Sequence, residues 1–553
     1  GGATAAARIR RLDEHAEITV FERSGYISYA NCGLPYYIGD VITDPEDLTL
    51  QTPESFFKRF RINMKIHHEV ISIHPDRKTV SVKNLENDEI FEETYDKLIL
   101  SPGAKPTQPN LPGVGIDNLF TLRTVEDTIQ IKEYINKNHP KSAVLAGGGF
   151  IGLELAENLR ELGMDVTIVQ RPKQLMNPFD PDMASMIHNE MRKHGIKLVL
   201  GYTVEGFKEK DDGVEVLLKD NPSLQADMVV LAIGVTPDTV LAKEAGLELG
   251  INESIVVNDR METSVPDIYA AGDAVQVKHY VTGNDALISL AGPANKQGRI
   301  IADNICGGDS RYLGSQGSSV IKVFDMTAAT TGINETNAKK SGLEVDTVIL
   351  SPMSHAGYYP GGKVMTMKVV FEKESYRLLG AQIIGYEGVD KRIDVLATAI
   401  HAGLNATQLK DLDLAYAPPY SSAKDPVNMA GFMIDNIAKG TLKQWHLEDM
   451  DKISKDKDVV LIDVRTVCEF SRGHIDGFKN IPVDELRERI SEIEKGKPVY
   501  LICQSGLRSY IASRILEGNG YETYNFSGGF RFYDAVVNDR ALIERAYACG
   551  MDY

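Results

Sequence analysis

Cysteine is scarce in this chain: there are five in 553 residues, at Cys32, Cys306, Cys468, Cys503 and Cys549. No two form a CxxC or a metal-ligand spacing. A disulfide-stapled secreted fold and a cysteine-built metal site are therefore excluded, and the pattern is that of a reduced thiol protein of the cytoplasm. Long apolar runs are also missing. None reaches the roughly 18 residues of a membrane-spanning helix. No basic segment followed by an apolar one opens the chain, so secretion is not indicated. Positive charge is in deficit, with 60 Lys and Arg against 78 Asp and Glu and a net charge of −18. That balance argues against nucleic acid as a partner. It leaves room for a local basic pocket facing an anionic substrate. A strand is missing too. Gly1-Gly2-Ala3-Thr4-Ala5-Ala6-Ala7-Arg8 reads as the end of a glycine-rich turn entering a helix, with no strand before it, so a clipped N-terminus is expected.

A chain of 553 residues is too long for one core and suggests three or four domains. Residues 17–22 form a short strand ending in Glu22, about 20 residues after the first glycine turn, where an acid holds the ribose hydroxyls of a dinucleotide. Lys97 to Ala104, a strand and tight turn, closes this first half. A complete second unit follows: strand Ser142 to Ala146, the turn Gly147-Gly148-Gly149-Phe150-Ile151-Gly152, a helix from Leu153 to Leu162, and strand Asp165 to Val169. Strand, glycine turn, helix and strand in that order make a dinucleotide fingerprint. Further on, a strand delivers Asp273 to a turn where its carboxylate can bind a sugar-like hydroxyl. This suits a flavin domain interrupted by a nicotinamide domain.

Residues from about 320 to 440 alternate strands, such as Lys363 to Phe371, with a helix from Lys391 to His401, and carry no nucleotide signature. The polar stretch around 440–455 reads as a linker. The last hundred residues start afresh, with buried strands Val459 to Arg465 and Val499 to Ile502. The second strand runs directly into Cys503-Gln504-Ser505-Gly506-Leu507-Arg508-Ser509. A parallel α/β domain places its active loop at such a strand end. Backbone amides in that loop, with the charge of Arg508, would stabilise a thiolate or persulfide. Phosphatase loops of related form are one residue longer, so this one favours sulfur over phosphate.

The segment Ser28-Tyr29-Ala30-Asn31-Cys32-Gly33-Leu34-Pro35-Tyr36-Tyr37, the segment Tyr416 to Pro426, and Asp463-Val464-Arg465 with Cys503 to Ser509 carry a resemblance. Residues 1–440 resemble the coenzyme A-disulfide reductase branch of the flavin-dependent pyridine nucleotide–disulfide reductases, and residues 451–553 resemble a rhodanese domain. The combination is similar to fusions of the two, some described as NADH-dependent persulfide or polysulfide reductases. The resemblance implies an α/β fold with two Rossmann-like domains, for FAD and NAD(P)H, an α+β dimerisation domain and a C-terminal rhodanese domain. The expected divisions are 1–110 (FAD, first part), 111–239 (NAD(P)H), 240–320 (FAD, second part), 321–440 (dimerisation), 441–452 (linker) and 453–553 (rhodanese).

The resemblance also implies roles. Cys32 would be the single redox cysteine, with Ser28 and Asn31 lining its thiol pocket. Thr4, Arg8 and Arg11 would contact coenzyme A. Tyr416, with Tyr358 or Tyr359, would reach the partner's cysteine across a homodimer. Gly2, Glu22, Ala104 and Asp273 would belong to the FAD site. Gly147, Gly149 and Gly152 would hold the pyrophosphate of NAD(P)H, and Glu154 would approach the nicotinamide. Asp463 and Arg465 would tie the Cys503 loop.

The chemistry of the residues agrees. Two-cysteine relatives carry CxxxxC, but the position five on from Cys32 is Tyr37, so the partner sulfur must come from a substrate. Only a thiolate performs that exchange, so Cys32 needs surroundings that lower its pKa. Arg8 and Arg11, three apart on a helix, suit the phosphates of coenzyme A. His474, and the thiols of Cys306, Cys468 and Cys549, are expected to be structural or ordinary, and His67 and His68 to be surface or packing residues. Gln170 and Arg171 follow Val169 where an acid would favour NADH, so nucleotide choice stays open. Two rivals remain: an NADH oxidase or peroxidase cycling Cys32 through sulfenic acid, and a sulfur carrier or sensor.

Overall fold

The computed structural model describes residues 1–211 and 213–549, with side chains through 545, so the Cys549 side chain lies outside the described residues. The chain divides into two compact units, one of residues 1–173 with 195–317 and one of 174–194 with 318–553.

The first unit is built around a five-stranded parallel sheet in the order Leu119–Thr121, Met228–Leu231, Ser142–Ala146, Asp165–Gln170, Lys197–Leu200. Its central strands are continuous apolar runs, as a sheet covered on both faces requires. The helix Phe150–Glu161 leaves the central strand through the glycine turn. It begins three residues earlier than the sequence suggests. In the other part of this unit, Leu98–Leu100 pairs in parallel with Ile268–Ala270, and Thr19–Phe21 with Asn63–Lys65. Antiparallel three-stranded sheets, His68–His74 with Thr79–Asn84 and Ile90–Thr94, and Val204–Lys210 with Gly213–Leu218 and Leu224–Ala226, complete it. His68 packs between Phe21 and Phe91, as a packing residue should.

The second unit holds two sheets. The strands Ser319–Val323, Met326–Gly332, Leu378–Gly385, Thr366–Glu372 and Val345–Leu350 form an antiparallel sheet in that order. The other sheet is parallel: Gln444–Trp445, Thr523–Phe526, Val499–Ile502, Val460–Asp463, Lys479–Asn480. Two expectations change here. Residues 441–452, read as a linker, carry the edge strand Gln444–Trp445, and Trp445 is buried against Phe478 and Phe526. Leu442 and Met450 are buried as well, so a few apolar side chains amid polar neighbours draw the segment into the core. Residues 174–194, expected within the nicotinamide domain, pack with residues 318–553. Buried Lys368 donates to Asp182 at 2.7 Å and lies 2.7 Å from Glu335 and 3.2 Å from Asp180. No helix among the described residues is long and apolar enough to cross a membrane.

Candidate active sites

Cys32 lies in a one-turn 3-10 segment, Asn31–Gly33, that runs straight into the short helix Leu34–Ile38. Lys132 fixes the far end of that helix, donating to the Ile38 carbonyl at 2.9 Å and to Asp40 at 2.7 Å, where a cation suits the carbonyl end of a helix. The helix packs on Phe150–Glu161. Tyr36, one turn beyond Cys32, is hydrogen-bonded to Glu154. Burial pushes the Glu154 carboxyl up to about 7, opposed by the Tyr36 bond. Burial, followed by the Glu154 charge, pushes Tyr36 up to about 12.

Cys32 itself reaches the surface, yet its thiol differs from expectation. The packing beneath it pushes its pKa up, Glu154 adds to the rise, and Arg123 opposes it. Burial first, and then the carboxylates Glu154 and Asp273 against the one guanidinium, therefore favour the thiol over the thiolate. Arg123 is not free to act alone: it donates to Asp273 at 2.6 Å and to the Ala104 carbonyl at 3.1 Å. Sequence reasoning missed Tyr36 and Arg123. For Tyr36 a signal exists, the four-residue step from Cys32; for Arg123 there is none.

The remaining expected residues fall as follows. Ser28 lies on a two-residue strand paired with Thr49–Gln51, and Asn31 is exposed beside Cys32. Glu22 lies just past the strand Thr19–Phe21 and accepts from the Ser24 amide at 2.8 Å. Gly2 starts the helix Gly2–Leu12. On that helix Thr4 donates to Asn295 at 2.5 Å, Arg8 pairs with Asp303 at 2.9 Å, and Arg11 is exposed. Arg10 is different. It is buried, and its guanidinium caps five carbonyls from Asp13, Glu14, Ala16, Phe60 and Arg61. Gly147 has φ +121°, and a Cβ there would lie 2.2 Å from the Ala232 carbonyl oxygen; one at Gly152 would lie 2.2 Å from the oxygen of Gly147. Gly149 caps the helix, with nothing within 4 Å of its Cβ direction. A turn that admits no side chain at Gly147 or Gly152 and opens a helix fits a dinucleotide pyrophosphate. Gln170 turns back to accept from the Gly148 amide at 3.1 Å.

The second site is the loop after Val499–Ile502. Cys503 is 1% exposed, deeper than a loop mouth. Its sulfur accepts from the Gly506 amide at 3.1 Å and the Ser509 hydroxyl at 3.2 Å. The loop is tied from three sides. Phe530 N–H donates to the Cys503 carbonyl at 2.7 Å, and the Asn525 amide to that of Gly506 at 3.2 Å. Arg465, bound to Asp463 and stacked 3.8 Å over Phe530, reaches Gln504 at 3.5 Å. Arg508, expected to lend its charge to the thiol, forms two 2.7 Å bonds to Glu469 and stays within electrostatic reach of Cys503. The pair holds the Glu469 carboxyl down at about 2. His474 stacks on Phe470 and hydrogen-bonds its carbonyl, a structural placement.

In the antiparallel-sheet region the Tyr358 and Tyr416 hydroxyls are 2.6 Å apart, whereas Tyr359 packs edge-on against His355. The structure thus pairs Tyr416 with Tyr358. Tyr358 is 76% and Tyr420 71% exposed.

The family model for pyridine nucleotide-disulphide oxidoreductases matches residues 1–298. The chain belongs to that family. The pyridine nucleotide-disulphide oxidoreductase dimerisation-domain model matches residues 318–426, and the rhodanese-like domain model residues 446–535. Coenzyme A disulfide reductase of Staphylococcus aureus is 37% identical over 433 residues, 78% of this chain and 97% of its own. The reduced Bacillus anthracis CoADR-RHD structure superposes with a TM-score of 0.95 at 48% identity, over 98% of this chain and 97% of that one. A NAD-dependent persulfide reductase from A. fulgidus gives 0.90 at 38% identity, over 96% and 98%. A water-forming NADH oxidase from Lactobacillus brevis gives 0.76 at 31% identity over 79% of this chain and 97% of its own. Membership implies FAD and a pyridine nucleotide, and the glycine turn on Phe150–Glu161 is built to fit the latter.

Proposed function

We propose that this pyridine nucleotide–disulphide oxidoreductase reduces coenzyme A disulfide, coenzyme A persulfide or polysulfide through Cys32, with Cys503 handling sulfane sulfur. The observation that carries the reading is the lone Cys32 just ahead of the helix Leu34–Ile38, which packs on the helix bearing the nucleotide turn, with Tyr37 where a second cysteine would stand. Bound FAD, with NAD(P)H, supplies the electron pair. Glu22, Ala104, Asp273 and the Gly2 turn would hold FAD; Gly147, Gly149, Gly152 and Glu154 the nicotinamide nucleotide. Thr4, Arg8, Arg11, Ser28 and Asn31 would hold coenzyme A. Cys32 attacks the substrate sulfur, and its mixed disulfide is the species reduced. The amide and hydroxyl that cradle Cys503 suit a persulfide. The domain divisions given above are kept in this reading, except that the rhodanese region begins at the strand Gln444–Trp445 and residues 174–194 group with residues 318–553.

The working form is a homodimer, in which the exposed Tyr358–Tyr416 pair meets the partner's Cys32 and donates to the leaving thiolate. The test is NAD(P)H oxidation with coenzyme A disulfide, coenzyme A persulfide, polysulfide and oxygen side by side. Turnover with the sulfur substrates, lost in Cys32→Ser while flavin binding and bleaching by NADH persist, supports the reading. Fast turnover with oxygen alone overturns it in favour of an oxidase.

A further inference from the structure

Arg508 stands between the two residues that hold the Cys503 sulfur. The Gly506 amide and the Ser509 hydroxyl, on either side of it in the chain, reach that sulfur at 3.1 and 3.2 Å. The Arg508 guanidinium is turned to Glu469, each terminal nitrogen donating to one carboxylate oxygen at 2.7 Å. Glu469 is fixed in this fork. Its Oε2 also accepts from the Thr466 amide at 3.0 Å and the Thr466 hydroxyl at 2.9 Å, and its own amide donates to that hydroxyl at 3.2 Å. The carboxylate is thus anchored at the start of the helix Val467–Ser471. It stays charged, because the Arg508 bonds hold it down at about 2. Arg465, the other guanidinium that reaches the loop, is buried and bound to Asp463. Arg531 gives its backbone amide to the Gln504 carbonyl at 3.2 Å and is exposed. Arg508 and Glu469 are each 30% exposed, so solvent reaches the pair, whereas Cys503 is shut in.

We propose that Glu469 sets which sulfur donors load Cys503: its carboxylate fills the fork of Arg508 that a sulfonate group would need, so donors tipped with an oxyanion, of the thiosulfate kind, are turned away, and bare sulfur chains, polysulfides and thiol-borne persulfides, are admitted. The inference deepens the reading of Cys503 as a carrier of sulfane sulfur and rests on it. A guanidinium recognises oxyanions through two parallel N–H bonds. A carboxylate and a sulfonate therefore compete for the same two nitrogens, and here the carboxylate belongs to the protein and is held in place. A sulfonate arriving at Arg508 meets terminal nitrogens already taken and a charge already cancelled. A bare sulfur chain has no oxygens and makes no demand on the fork; the cradle of the Gly506 amide and Ser509 hydroxyl serves it. The loading step is the same for every donor. The Cys503 sulfur, its proton passed to water, forms a bond to the donor's sulfane sulfur, and the donor's S–S bond breaks. Sulfite, a shortened polysulfide or a thiolate leaves with the bonding electrons. No oxidant or reductant is consumed. Glu469 touches no reacting atom and acts only through Arg508.

FAD-bound full-length enzyme is reduced with dithiothreitol, desalted without oxygen and mixed with thiosulfate or with inorganic polysulfide. The persulfide formed on Cys503 is trapped by alkylation and followed in time by peptide mass spectrometry. Polysulfide is the control for charge, since it is anionic and carries no oxygen. Glu469→Gln should load from thiosulfate roughly tenfold faster than the wild type, and from polysulfide within about twofold of it. The thiosulfate gain should vanish when Arg508→Ala is added, because the freed fork is then gone; this double-mutant cycle isolates the coupling of the two residues. A purely structural or purely electrostatic role of Glu469 moves both donors alike. Equal changes with the two donors, no gain with thiosulfate, or a gain that survives Arg508→Ala overturns the proposal. If Glu469→Gln does not fold, the wild type decides. Excess sulfate, an oxyanion without sulfane sulfur, should leave its loading from polysulfide unchanged, and inhibition beyond that of chloride at equal ionic strength overturns the proposal. A Cys503 peptide that gains no persulfide from any donor overturns instead the reading of Cys503 as a carrier.

Discussion

Glu469 ties the charge of the C-terminal loop to pH. Its two bonds to Arg508 hold it at about 2, well below an ordinary glutamate. A carboxyl depressed in the folded state stabilises the fold above its unfolded value of about 4.3, and that contribution is lost as pH falls toward 2. The melting temperature of the wild type should therefore fall more steeply between pH 4.5 and 2 than that of Glu469→Gln. The difference should be small because both side chains are 30% exposed; superimposable curves would show that the pair contributes nothing. At the other end of the chain, Arg8→Ala with Arg11→Ala should raise KM for coenzyme A disulfide far more than for inorganic polysulfide, since only the former carries phosphates. Equal changes would remove Arg8 and Arg11 from the phosphate site. The sequence singles out Cys32, Glu154 and Cys503 as candidates because each stands in a motif with fixed spacing. It does not identify Arg123 or Glu469, because their partners, Asp273 and Arg508, are 150 and 39 residues away. For the same reason the thiol-favouring surroundings of Cys32 are not legible: they depend on which charges the fold brings near.

Among the elements, the helix Pro181–Lys193 fastens the C-terminal helix Gly529–Cys549. His188 donates from Nδ1 to Asp539 at 2.8 Å and accepts the Leu175 amide on Nε2 at 2.9 Å, so both ring nitrogens are committed. Arg192 adds a 2.5 Å bond to the same carboxylate. Both His188 and Asp539 are 1% exposed. Removing Asp539 leaves the buried His188 Nδ1–H without an acceptor and Arg192 without its carboxylate, so Asp539→Ala should cost about 1–3 kcal/mol, read as a lowered denaturant midpoint. A cost under about 1 kcal/mol would mean that the helix is held by its apolar contacts alone. The strands and helices flanking the glycine turn are legible because turn, cap and periodicity agree over a long stretch. The strand Gln444–Trp445 is not, because two residues show no alternation and their pairing with Thr523–Phe526 is made eighty residues on. The docking of Pro181–Lys193 against Gly529–Cys549 has no local signal at all.

For the whole molecule, the two-site reading makes a prediction about division of labour. Cys503→Ser should leave reduction of coenzyme A disulfide near normal and lose activity with inorganic sulfur donors, because only those need a persulfide carrier tethered to the reductase. If every substrate is handled normally, the rhodanese region has a separate role. Such a region is not a loose appendage to its own unit: Gln444 donates to Asp346 and to the Thr347 carbonyl, and His446 pairs with Asp346 at 3.0 Å. Burial lowers the pKa of His446, and the Asp346 bond outweighs it and raises it overall. This contribution is complete below the unfolded value of about 6.5 and is lost as pH rises through the raised one. The same short segment carries one more consequence. Trp445 is the single tryptophan of the chain and sits 4.6 Å from the Phe526 ring, shut away from water. The emission of this protein when excited at the red edge of aromatic absorption thus comes from one sheet. It is a built-in optical probe that reports the opening of the sulfur-carrying region while saying nothing of the rest.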